Sequence, residues 1–207
     1  MSRNETPRRA PPGLTGAATR SRFEGVLSLL ARLWRTQFVR PRLRTLSLQE
    51  VARRFPTPHD LHRYMQIAFE YVRDDEVYGL HEHWKLPSDT LRDHFGDCED
   101  WSLFASEVLE RNGYETHIFC VFREDEGHAV CVYEEHGHYH SLCNEAHRRR
   151  LAPARGTDEA EAARLLAAAL FPGGWTTCSW VRVLRPLDLE RRDIPRGFHP
   201  EYRWIEP

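Results

Sequence analysis

The sequence predicts an α+β domain, on three observations. An apolar-rich run from Cys98 to Leu109, closed by Asn112-Gly113, is a strongly signalled helix, the apolar periodicity switches to alternation after Gly113, and the β-rich runs that follow are joined by turns too short for parallel crossovers. The 207 residues are 41% hydrophobic and 29% charged, with a mean hydropathy of -0.63, enough apolar material for one sizeable core. No stretch approaches the roughly 18 uncharged apolar residues of a membrane span. Five cysteines, none in paired two-residue spacing, favour a reducing, cytoplasmic compartment over a disulfide framework.

Charge divides the chain. Residues 1–54 hold twelve arginines against Glu5, Glu24 and Glu50, a balance of +9, which leaves -11 of the total -2 for residues 55–207. Residues 1–22, rich in Pro, Gly and Arg without apolar periodicity, read as a disordered basic tail and not as a signal peptide. Phe23, Val26, Leu27, Leu30, Leu33, Trp34 and Phe38 recur at helical spacing, so 23–46 reads as an arginine-rich amphipathic helix, suited to the domain or to an anionic membrane surface. An anionic membrane or acidic partner would meet the chain through residues 1–54. No helix-turn-helix, zinc-finger or base-stacking signature accompanies these arginines, so specific nucleic-acid reading is not expected.

The main domain is predicted over 47–207. Ser47 with Glu50, and Thr57 with Pro58 and Asp60, are two helix starts in which a hydroxyl accepts from an orphan amide and an acid reaches back. The second helix carries Leu61, Tyr64, Ala68, Tyr71 and Val72 and gives way near Asp74. An aromatic and histidine-rich connector leads to Pro87. Asp97 sits at an N-cap position and Asp100 at the reciprocal one, making Cys98 the first residue of a helix that Asn112-Gly113 stops. Strands follow over 116–122 and 129–133, parted by Glu124–Gly127, and a third over 139–143. A helix over 157–170, a last strand over 177–184 and a proline-punctuated tail complete the pattern. Arg148-Arg149-Arg150 reads as a solvated loop.

A helix N-terminus and an imidazole partner are the two devices that make a thiol nucleophilic, and Cys98 is placed for the first. His128, opening the strand after the hairpin turn, is the best-placed histidine for the second, and Asn144 at the end of the next strand would hold its ring. Cys120, Cys131 and Cys178, in apolar strand-like company, read as inert core thiols. His136, His138 and His140 alternate, and His81 with His83 repeats the theme, but further ligands at metal-site spacing are missing, so neither metal nor cofactor is expected.

Trp84, Pro87 and Leu91, then Gly96-Asp97-Cys98-Glu99-Asp100, the helix ending at Gly113, and His128-Ala129-Val130 thirty residues after the cysteine resemble the bacterial transglutaminase-like cysteine peptidase family, within the transglutaminase and papain-like group. The resemblance spans roughly residues 59–144. It implies a papain/transglutaminase-like core, with the nucleophile-bearing helix packed on an antiparallel sheet, and hydrolysis of peptide or isopeptide bonds in protein substrates through a thioacyl intermediate. It also implies Trp84 as a second oxyanion donor beside the Cys98 amide. Members usually end the third strand with aspartate, whereas this chain has Cys143-Asn144; Asn144 is the favoured substitute and Cys143 the alternative. Glutamine acyl transfer is the neighbouring chemistry. A non-catalytic binding protein with a docking arm is the reading from a different class.

Overall fold

In the computed structural model the described residues are 37, 39–80, 82–124, 126–187 and 197–206, and residues 40–206 belong to one compact unit. The tail expected over 1–22 and most of the amphipathic helix expected over 23–46 lie outside the described residues. Within that range only α1, Arg40–Leu43, is a described α-helix.

Both capped starts are present. Ser47 forms a complete capping box with Glu50 at the start of α2 (Leu48–Arg54), and Thr57 accepts from the Asp60 amide at the start of α3 (Pro58–Ala68). The third helix stops at Ala68 rather than continuing to Val72, because Glu70–Tyr71 leave as a short strand, β1. The connector is more ordered than its composition suggests. It holds α4 (Asp74–Tyr78), β2 (Trp84–Lys85), α5 (Pro87–Asp93) and β3 (Phe95–Gly96), the last paired in parallel with β1. Helix α6 then runs from Cys98 to Arg111.

The predicted α+β class and the helix-on-antiparallel-sheet arrangement are both present. Strands β4 (Thr116–Arg123), β5 (Glu126–Glu135), β6 (His138–Leu142), β7 (His147–Pro153), β8 (Thr177–Leu187) and β9 (Gly197–Ile205) join β2 in a seven-stranded antiparallel sheet of order β2-β9-β8-β4-β5-β6-β7. Period-two alternation assigns its faces. Cys131 and Tyr133 turn toward α6, where Trp101, Phe104, Ala105, Val108 and Leu109 pack with α2 and α3. Phe119, Val121, Val130 and Val132 turn the other way, under Ala162, Ala163, Leu166, Ala167 and Leu170 of α7 (Glu159–Leu170).

Two corrections concern strands. The arginine run is not a loop: Arg148–Arg150 are the exposed residues of β7, an edge strand, where charge discourages further pairing. The tail after Leu184 contains β9, which pairs along β8 and seats β2 through Trp84↔Phe198 and Lys85↔Gly197. One irregularity positions the site. Strand β6 pairs with β5 only over 131–135, so residues 126–130 have β4 on one side and no strand on the other.

Candidate active site

Cys98 opens α6 beside that unpaired stretch of β5, half-buried against Trp84, Leu103, Cys120 and Ala129. The preceding turn depends on Gly96, because a Cβ there would collide with the Asp100 side chain. Asp97 is the N-cap residue by position, as expected, yet its side chain makes no capping hydrogen bond. The reciprocal acid is also redirected. Asp100 accepts from the Lys85 amide at 2.8 Å and faces Lys85 Nζ at 3.2 Å, both side chains being fully buried. The expected capping pair is therefore replaced by an ion pair that ties β2, and with it Trp84, to the helix start.

The environment of the sulfur is acidic. Cys98 Sγ donates to Glu99 Oε2 at 3.2 Å, and Glu99 is itself buried. Burial pushes the Cys98 thiol well above its ordinary value. Glu99 and Asp97 push the same way, and the Ala129 backbone opposes them. The carboxylates disturb one another as well. Burial and then Asp97 raise Glu99 well above the usual carboxylate range, burial raises Asp97, and burial with Asp97 lifts Asp74 to about 7. Burial carries Asp100 to about 8 against the pull of Lys85. Oxygens of Asp74, Asp97 and Glu99 lie within 4.8 Å of one another, an all-oxygen donor set that could hold a hard divalent cation. The sequence reading expected no metal; Asp74 comes from α4 and carries no spacing that links it to 97 and 99.

Cys98 and His128 line one cavity of about 360 Å³, together with Tyr71, Trp84, Phe122 and Tyr202. Trp84 Nε1 is buried there without a hydrogen-bond partner. No hydrogen bond joins Cys98 to His128. Strand alternation sets His128 with Val130 and Val132 on the α7 face, its ring centroid 6.3 Å from that of Phe171, and the unpaired edge of β5 leaves it open to both sides. It also lines a second cavity, of about 430 Å³, with Cys143, Glu145 and Arg148. Burial lowers the His128 pKa; Glu145 opposes that shift and Arg148 reinforces it.

Asn144 lines neither cavity and makes no hydrogen bond to His128. Its carbonyl accepts from the Gln66 amide, and its Oδ1 is buried without a partner. The neighbours Cys143 and Glu145 line the second cavity together with His128, and the Cys143 thiol donates to the Ala146 carbonyl at 3.4 Å. The strand ends at Leu142, so Cys143 to Glu145 lie in the turn that follows it and strand alternation does not set their directions. Sequence reading also missed Lys85 and Glu145; a sole lysine inside an acidic half was the one available signal for Lys85.

Residues 44–146 match the family described as bacterial transglutaminase-like cysteine proteinase BTLCP. No curated protein matches the chain. Among solved structures, Legionella pneumophila LapG is similar over 55% of this chain and 66% of its own length, at 16% identity and a TM-score of 0.35. The chain thus spans just under two thirds of that protein. No helix among the described residues is long and apolar enough to cross a membrane.

Proposed function

We propose, from the match of residues 44–146 to the bacterial transglutaminase-like cysteine proteinase family, that the chain is a member of it and hydrolyses amide bonds of peptide or protein substrates with Cys98 as nucleophile. One observation carries the assignment: the Cys98 thiol and the His128 imidazole line the same cavity at the N-terminus of a 14-residue helix.

In the resting state the thiol proton points at Glu99. In the reaction His128 takes that proton, the sulfur attacks the substrate carbonyl carbon, and the C–N bond breaks as the imidazolium returns the proton to the leaving amine. Water then adds to the thioester, with His128 again as base, and releases the acid and free thiol. The Cys98 amide, facing outward at the helix start, is one donor to the oxyanion. The unpartnered Trp84 Nε1 is the second, held in place by the Lys85–Asp100 pair. Asn144 makes no hydrogen bond to the imidazole, and in this reading the charged neighbour Glu145, which lines a cavity with His128, is its electrostatic partner. Glu145 supplies the carboxylate field that favours its charged form.

The test is turnover of a fluorogenic peptide library by the full chain. Cys98→Ala and His128→Ala abolish it with unchanged melting midpoints. Trp84→Phe, which keeps the ring packing and removes the donor, lowers kcat by about a hundredfold with little change in KM. Turnover surviving Cys98→Ala overturns the assignment.

A further inference from the structure

A second constellation lies outside the Cys98 cavity. His59 and His62 are one turn apart on α3, and His147 opens β7 opposite them. Ring centroids of His59 and His147 are 6.4 Å apart, and those of His62 and His147 are 6.3 Å apart. From Zn–N bonds of about 2.0–2.1 Å, two imidazoles on one zinc ion hold their ring centres roughly 5–6 Å apart. His59 is exposed and His62 half-buried; the donor nitrogens of the three rings do not all lie within 4.8 Å of one another, so binding an ion requires the side chains to turn toward it.

The two less exposed rings are held as ligating imidazoles usually are, with one nitrogen engaged by an outer partner. His147 Nε2 meets the hydroxyl of fully buried Tyr133 at 2.5 Å, which leaves Nδ1 for another partner. His62 interacts with the Cys143 backbone, and its Nε2 has a long 3.4 Å contact with Gln66. His140, nearby, is unsuited: its Nε2 contacts the Glu135 carbonyl at 3.2 Å and its Nδ1 accepts from the Arg150 amide at 3.4 Å.

We propose that His59, His62 and His147 form a binding site for a divalent transition-metal ion of the zinc, nickel and copper class, to which all-imidazole donors are suited and Ca²⁺ or Mg²⁺ is not. The ion bridges α3 to β7 across the 143–146 turn, where Gln66 already holds the Asn144 carbonyl and Cys143 faces the His128 cavity. Metal binding thereby fastens the segment behind the proposed general base. The site is independent of the Cys98 chemistry and is assayed without it.

The experiment is a Co²⁺ titration of the full chain carrying Cys98→Ala, read by visible absorption and followed by displacement with Zn²⁺. In the chain that also carries Asp97→Asn, which disarms the acidic group beside Cys98, one equivalent is expected, with ligand-field bands and no sulfur-to-cobalt charge transfer. His62→Ala and His59→Ala each weaken binding by about tenfold or more; His59 is exposed, so its loss does not threaten the fold. Replacing His136 and His138 at the β5–β6 turn leaves binding unchanged. Affinity unaffected by His59→Ala and His62→Ala, a thiolate charge-transfer band, or failure to saturate overturns the proposal.

Discussion

Glu99→Gln unmasks the Cys98 thiolate. The sulfur and Oε2 stand 3.2 Å apart in the native protein. At that separation, with an effective dielectric of about 20, an ionised carboxylate opposes a thiolate by about 5 kcal/mol. Rearrangement and the remaining acids absorb part of this, yet about 1.4 kcal/mol suffices for a tenfold change in thiolate population. Gln preserves the shape of this buried side chain and offers an amide donor to the sulfur. Iodoacetamide labelling of Cys98, followed by mass spectrometry from pH 6 to 10, is the assay. The variant is expected to label at least about tenfold faster at pH 8, with its profile displaced toward lower pH. The other four cysteines, all buried, serve as internal controls. Labelling of Glu99→Gln at the wild-type rate, or below it, would refute the reasoning that this acid restrains the nucleophile.

Three further outcomes follow from the same charges. Lys85→Met leaves Asp100 buried without its cation and costs about 3–5 kcal/mol in urea unfolding at pH 8; a loss below about 1 kcal/mol would show that the pair contributes little. The cost shrinks at pH 6, because Asp100 then takes up a proton. Stability falls as pH rises from about 6.5 to 8: Asp74 at about 7 and Asp100 at about 8 are raised above the ordinary aspartate value, so the folded protein holds protons that the unfolded chain has released, and it loses that advantage as they titrate. Below 6.5 the sign is opposed by His147, whose depressed value of about 4 makes acid destabilising there; a flat or rising curve above 6.5 would contradict the buried acids. Glu145→Gln lowers the His128 pKa and Arg148→Gln raises it, as read by NMR titration of the imidazole; identical curves in both variants would exclude either group as the ring's electrostatic partner.

Much of this architecture is legible one element at a time. Ser47, Thr57 and Asp97 mark helix starts because N-cap signals are local, and Asn112-Gly113 marks a stop for the same reason. The strands that escape are those whose pairing is distant. Strand β9 contains Pro200 and lies far in sequence from its partner β2, and β7 carries three arginines because its outer edge meets water. In the site, Cys98 stands out from Gly96-Asp97-Cys98 alone. The acids around it do not, since Asp74 and Lys85 reach the helix start from other elements. The group that orients His128 is the least legible part of the site, since Asn144 makes no hydrogen bond to the ring among the described residues and Cys143 and Glu145 share a cavity with it.

The seating of β2 on β9 has a consequence during synthesis. Trp84 emerges from the ribosome long before Gly197–Ile205, the strand that flanks it in the sheet. A nascent chain can assemble α6 against β4 and β5 early, but the wall opposite Cys98 waits for the last strand to add. The cavity that Cys98 shares with Trp84 and Tyr202 is thus complete only once segments more than a hundred residues apart have met.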